Sequence, residues 1–208
     1  VNEATDSNLE MCRDFDSSVH ERVASINLDA YKMDISKALL DEENKSFVLS
    51  EMFIEAALLQ SIARHENSII GEWNYLTHQL IASPFKPLEY IDKMDVFGYK
   101  FSKCYPDEPK LISKYLLIEL KKKKINKAAL EQTMQYVDWV CKEYASGDYS
   151  RVEAYVVGDS AVRNVDEIME DNCQRDFIIE THPVKTQRWN NLHLIKYCIG
   201  DSIEFQEM

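Results

Sequence analysis

Apolar positions between residues 50 and 63 recur with helical spacing. Phe53, Ile54, Ala57, Leu58, Ser61 and Ile62 share one face behind Ser50, a residue type that caps helices, so an amphipathic helix is predicted over 50–63. Two aromatic and β-branched stretches follow, over 73–82 and 91–101, separated by the breaker-rich Ser83-Pro84-Phe85-Lys86-Pro87, and both read as strands. A polar segment holding Tyr105-Pro106-Asp107-Glu108-Pro109 then leads into Tyr115-Leu116-Leu117-Ile118-Glu119-Leu120, the most strand-like run of the chain. Asn126 is placed to cap a second helix reaching about residue 146, with Gly147 as its stop signal. A strand over 151–157 ended by Gly158, an acidic helix over 165–172 and strands over 177–184 and 192–199 complete the pattern. The order of helix, three-stranded meander, helix and strand, with extra C-terminal strands, predicts an α/β (α+β) domain over 46–208. Residues 1–45 are acidic and weakly patterned, with short helices expected over 8–26 and 30–40, and read as an appendage or linker.

Composition narrows the setting. At 208 residues the chain can bury one sizeable core, and no apolar run approaches the ~18 residues a membrane helix requires, so no membrane partner is expected. Cys12, Cys104, Cys141, Cys173 and Cys198 are scattered singly and odd in number, which predicts small buried thiols in a reducing, cytoplasmic setting rather than a disulfide framework or a zinc site. The chain opens Val-Asn-Glu, without an initiator methionine or leader, and reads as a piece of a longer protein. The missing native segment leaves room for homo-oligomerisation or a partner protein.

A net charge of -12 opposes non-specific attraction to polyanions. Positive charge is nevertheless concentrated in Lys121, Lys122, Lys123, Lys124 and Lys127, which predicts a local basic rim on an acidic body. A solvated strand end explains Lys122, Lys123 and Lys124 equally well.

The chemistry is sharpest at Glu119-Leu120-Lys121. Side chains two apart share a strand face, so Tyr115, Leu117, Glu119 and Lys121 line one side and Leu116, Ile118 and Leu120 the other. A carboxylate and an amine thus emerge together at an apolar edge, as an active site or a structural ion pair. If the strand before it folds back as a hairpin, the midpoint of Asp95 and Glu119 is Asp107, inside the turn-like Pro106-Asp107-Glu108-Pro109. Asp95 then neighbours Glu119, while Asp107 sits about 40 Å of extended chain away. Two carboxylates beside a lysine suit Mg²⁺, or Mn²⁺ in its place, and phosphodiester hydrolysis.

Asp95, Glu119-Leu120-Lys121 and Gln132-Thr133-Met134-Gln135-Tyr136 resemble the PD-(D/E)XK nuclease superfamily, in the forms that add a Gln-x-x-x-Tyr element, as in the RecB and NucS nucleases. The resemblance covers about residues 50–158. It implies a restriction-endonuclease-like core, catalysis by Asp95, Glu119, Lys121, Gln132 and Tyr136, and a divalent metal on Asp95 and Glu119. A further acidic ligand from the first core helix is implied, Glu55 in preference to Glu51. Nucleic acid, DNA ahead of RNA, is the implied partner, met by Lys122, Lys123, Lys124 and Lys127, in an endonuclease of restriction, anti-phage defence or DNA repair. On the same helix, Leu130, Met134, Val137, Cys141 and Tyr144 form an apolar stripe, while Gln132, Tyr136, Trp139 and Glu143 recur on another face. Trp139 serves packing equally well.

Two alternatives stand beside this reading. A cap-snatching type of RNA endonuclease would recruit Asp107, with His65 as a ligand, and a catalytically silent module of the same fold would scaffold a partner protein. His65 and His78 receive no role in the favoured reading, and Lys185 and Arg188 read equally well as nucleic-acid contacts and as parts of a loop between strands.

Overall fold

The computed structural model describes residues 51–82, 93–102, 111–200 and 203–208, all of which belong to one compact unit. The appendage expected over 1–45, the breaker run 83–87, the turn 105–109 with Asp107, and Cys12 and Cys104 lie outside the described residues.

Helix α1 (Glu51–Ala63) is followed by the antiparallel meander β1 (Tyr75–Ile81), β2 (Lys93–Phe101) and β3 (Ile112–Leu120). Helix α2 (Lys127–Glu143) then carries the chain to β4 (Val152–Gly158), parallel to β3. After α3 (Val165–Asn172) come the hairpin strands β5 (Arg175–Thr181) and β6 (Val184–Trp189), and finally β7 (Leu192–Ile199) and β8 (Ile203–Glu207). Six strands form one sheet in the order β1-β2-β3-β4-β7-β8, and β5-β6 stand apart as a two-stranded sheet. This is the α+β order expected of a restriction-endonuclease-like core.

The sheet is covered on both faces. On one, Leu130, Met134, Val137, Val140 and Cys141 of α2 meet Tyr115, Leu117, Ala154 and Val156. On the other, Ile54, Leu58 and Ile62 of α1 meet Leu116, Ile118, Leu120 and Val157. Ile54, Leu58 and Ile62 are fully buried, each stabilising the fold by about 1.5–3 kcal/mol relative to exposure. Sandwiching between two helices is why β3 reads as an unbroken apolar run, and it is what buries anything polar placed at its end.

Local signals fix the element ends. The Asn126 side chain accepts from Ala129 N at 3.0 Å, the cap predicted from its residue type. Helix α2 stops at Glu143, short of the expected 146, and the chain leaves through Ser146 and Gly147, both at positive φ (55° and 85°). Strands β2 and β3 pair from Val96↔Ile118 to Lys100↔Lys114, the register centred on residue 107, before an irregularity at Phe101.

The C-terminal third differs from the sequence reading. The strand expected over 177–184 is instead β5, a cis His182–Pro183 turn and the start of β6. Arg188 and Trp189 therefore lie in a strand rather than a loop. Trp189 is buried and donates to Val152 O at 2.9 Å, which anchors the hairpin to the main sheet. Strand β8 was not expected, because its Ile-Glu-Phe-Gln-Glu is short and two of its five residues are acidic.

Candidate active site

Strand β3 ends on Glu119 and Leu120, and Lys121 follows at once, still tethered to β4 by its backbone N–H to Val157 O at 2.8 Å. Glu119 is only 3% exposed. Its Oε1 accepts from Lys121 Nζ at 2.6 Å, and its Oε2 is buried without a hydrogen-bond partner among the described residues. An oxygen in that condition is costly in an isolated chain and marks a position where an external group can complete the site.

Helix α2 holds the lysine from the other side. Lys121 Nζ also donates to Gln132 Oε1 at 3.3 Å, and Gln132 Nε2 donates to Tyr136 Oη at 2.9 Å. Their spacing of four places both side chains on one helical face. Tyr136 is buried, and its hydroxyl donates to Lys93 O at 3.3 Å, so the same pair reaches β2 two residues before Asp95.

Asp95 closes the third side. Its Oδ2 accepts from Leu120 N at 2.7 Å, taking the place of a strand ladder that ends at Val96↔Ile118, and its Oδ1 accepts from Gln79 Nε2 at 3.5 Å. Glu55, 12% exposed on α1, pairs with His78 Nδ1 at 3.2 Å. Glu51, one turn earlier, accepts from Lys122 N at 3.0 Å. Glu51, Glu55 and Asp95 share a cavity of about 500 Å³ with Met52, Ala56 and Leu59.

Crowding of carboxylates in a half-dry site sets the electrostatics. Burial, reinforced by the charge on Asp95, pushes Glu119 up to about 7 despite the opposing pull of Lys121. Burial also raises Asp95 above the usual carboxylate range against the hydrogen bond from Leu120 N and the charge of Lys121. Glu55 is raised by burial and by Asp95. For Lys121, burial acts downward, but the hydrogen bond and charge of Glu119 outweigh it and keep the ammonium raised and charged.

Hard oxygen donors on Asp95, Glu119 and Glu55, one of them a buried oxygen with no partner, match the donor chemistry of Mg²⁺ or Mn²⁺. The carboxylates are not drawn into a finished cage: among the described residues no three His, Cys, Asp or Glu side chains stand close enough to hold an ion. Lys121 occupies Glu119 Oε1, so ligation by that oxygen requires a side-chain rotation.

Of the residues singled out by sequence, Asp95, Glu119, Lys121, Gln132 and Tyr136 come together, with Glu55 facing Asp95 across the cavity. Lys122, Lys123 and Lys124 are exposed beside them, on a loop that packs against Gly158, where a Cβ would lie 2.8 Å from Lys123 O. Lys127 is turned to Glu131 at 3.6 Å. Trp139 packs edge-on against Tyr144, with ring centroids 5.3 Å apart, and His65 pairs with Glu72. Lys185 pairs with Glu180 and Arg188 with Asp176 across the β5–β6 hairpin. His78 and Gln79 join the site although no local sequence pattern assigns them a role. Only the β1–β2 register, His78↔Val96 and Leu80↔Met94, places them opposite Asp95.

No protein-family model matches this chain, and no curated protein matches it. Among solved structures it is similar to a repair endonuclease from Pyrococcus abyssi, at 23% identity and a TM-score of 0.38 over 57% of this chain and 43% of that one. It is similar also to EndoMS in a complex with double-stranded DNA (20%, TM-score 0.36, 57% of this chain and 41% of that one) and in apo form (16%, TM-score 0.35, 62% and 45%). The chain spans less than half the length of each of these proteins.

Proposed function

We propose that this chain is a divalent-metal-dependent nuclease that hydrolyses phosphodiester bonds, an endonuclease acting on DNA in preference to RNA. One observation carries the reading. Lys121 Nζ is lodged between Glu119 Oε1 and Gln132 Oε1 at the end of a doubly covered strand, while the other oxygen of Glu119 is buried without a partner. Structural ion pairs satisfy their own atoms; this arrangement holds one acceptor open.

Asp95, Glu119 and Glu55 are the residues that would hold Mg²⁺ or Mn²⁺. A cation bound there supplies an activated water and offsets charge on the scissile phosphate. Lys121 presents its ammonium to the attacking water and to the phosphate oxygens, where charge develops as the new P–O bond forms and the old one breaks. Gln132 fixes where that ammonium sits, and Tyr136 fixes Gln132 while tying α2 to β2. Lys122, Lys123, Lys124 and Lys127 are the groups available to flanking phosphates. The preference for DNA, and a place in restriction, anti-phage defence or repair, rest on the family resemblance alone.

The test is incubation with linear, circular and single-stranded DNA and with RNA, in Mg²⁺ or Mn²⁺, beside Lys121→Ala. Metal-dependent cleavage by the wild type that the variant lacks is the expected result. Wild-type cleavage no greater than the variant's sinks the enzyme reading and favours a silent scaffold of the same fold.

A further inference from the structure

The sheet is distorted at one rung, and that rung belongs to the site. Along β1 the register with β2 runs Tyr75↔Tyr99, Leu76↔Gly98, Thr77↔Phe97 and His78↔Val96, then resumes at Leu80↔Met94, skipping Gln79 and Asp95. Strand alternation should put Leu76 and Leu80 on one face, yet Leu76 packs on the α1 side of the sheet and Leu80 on the α2 side. The same reversal occurs on β2, where Val96 packs on the α1 side and Met94 on the α2 side. Both strands therefore change face together, at Gln79 and Asp95.

Gln79 makes the reversal through a left-handed backbone, with φ of 55° in mid-strand. A non-glycine residue rarely adopts this conformation and holds it only where its surroundings impose it. The exposed Gln79 side chain does not impose it through packing of its own. What the conformation accomplishes is to bring one amide beside two carboxylates: Gln79 donates to Asp95 Oδ1 at 3.5 Å and lines the same cavity as Glu55. These are two of the three acidic groups that line the cavity, one from β2 and one from α1.

We infer that Gln79 is a positioning residue, held in a strained strand conformation so that its amide fixes the Asp95 and Glu55 carboxylates as a pair of oxygen ligands for a divalent cation. The inference rests on the proposed metal-dependent reading, and β1 thereby becomes part of the site rather than an outer strand of the sheet. Partners of this kind typically change metal affinity by about 10–100-fold when removed.

Glycine is the informative replacement, because it removes the amide while accepting positive φ without strain. Asparagine keeps an amide and tolerates the same backbone region better than most residues. Mn²⁺ binding to the full chain is measured by the loss of the free-ion electron paramagnetic resonance signal, with thermal unfolding recorded in parallel. Gln79→Gly is expected to keep or raise Tm and to weaken Mn²⁺ binding about tenfold or more, with Gln79→Asn recovering part of the loss. Unchanged Mn²⁺ affinity in Gln79→Gly overturns the inference, whatever happens to Tm. If Tm and affinity fall together, recovery of affinity by Gln79→Asn supports the inference and its absence overturns it. A wild type that binds no Mn²⁺ removes the metal reading and this inference together, whereas wild-type binding that Gln79→Gly retains removes this inference alone.

Discussion

Two charged clusters flank α2, and they are built on opposite plans. At the C-terminal end of the helix, Arg175 forks onto Asp138, Nε to Oδ1 at 2.8 Å and Nη2 to Oδ2 at 2.9 Å, while Nη1 donates to Asn172 O and Gln174 O. Tyr149 adds a hydrogen bond to Asp138 Oδ1 at 3.0 Å. The cluster satisfies its own donors and acceptors and ties α2 to α3 and β5. At the N-terminal end, Lys121 meets Glu119 and Gln132 through single contacts, Glu119 keeps an oxygen without a partner among the described residues, and burial raises the proton affinity of Glu119, Asp95 and Glu55, with the charge of Asp95 adding to the first and last. The first plan stabilises a fold. The second tolerates instability, as the proposed cation and phosphate site would.

The sharpest way to break this contrast is to exchange the expected phenotypes. Lys121→Ala is expected to lower cleavage by about 10²–10³-fold, the scale for removing one preorganised charge stabiliser, and to leave Tm nearly unchanged. Cleavage is read on the nucleic acid that the wild type cuts. A Lys121→Ala chain that cuts normally but unfolds early would make the two clusters the same kind of object.

Next in size is the stability cost of the open site. Glu119 holds its proton up to about pH 7 in the folded chain, against 4.5 for an ordinary glutamate. The folded state thus binds more protons than the unfolded state between these values, and metal-free stability falls as pH rises from about 4.5 to 7 and levels above. Glu119→Gln removes the penalty, so the variant should be more stable than the wild type by about 1–3 kcal/mol above pH 7 and indistinguishable from it below pH 4.5. Denaturant unfolding in chelator across that range decides it. A gain independent of pH would assign the effect to packing.

Smaller again is the effect at the satisfied cluster. Asp138 and Arg175 are 42% and 29% exposed, so Asp138→Ala should lower stability by only about 1–2 kcal/mol, a few degrees in Tm, with Mn²⁺ binding unchanged.

The same contrast explains what the sequence made legible. The three-part motif was readable because its geometry is local or nearly so: residues two apart on a strand, residues four apart on a helix, and a hairpin whose midpoint falls on a turn-like tetrapeptide. The core helices and β3 were readable because α1, α2 and β3 carry unbroken apolar patterns set by burial on one or both faces. Gln79 and His78 were not, since their place depends on the β1–β2 register and on a left-handed residue that no local pattern encodes. The β5–β6 hairpin was misread because its exposed Ile178, Ile179 and Val184 imitate a buried strand running through the turn. The Asp138–Arg175 fork was missed for a related reason: its members are 37 residues apart and meet only through tertiary packing.

The smallest expected effect concerns the lysines beside the open cluster. Lys185 and Arg188 on the hairpin are matched with Glu180 and Asp176, which cancels much of their attraction for phosphate. Lys122, Lys123 and Lys124 form no ion pair among the described residues and adjoin Lys121, so they are placed to meet a polyanion at the site despite a net charge of -12. Replacing all three with alanine should weaken binding most at low salt and lower the slope of log affinity against log salt by about one for each lysine engaged. The rate at saturating substrate should stay unchanged, because these groups offset backbone charge away from the scissile bond. Replacing Lys185 and Arg188 should leave the salt slope where it was. Titration of the slowed Lys121→Ala chains against the preferred nucleic acid at several salt concentrations, in chelator, separates binding from chemistry. An equal change of slope in both sets would mean that the phosphate path follows the hairpin as much as the strand end.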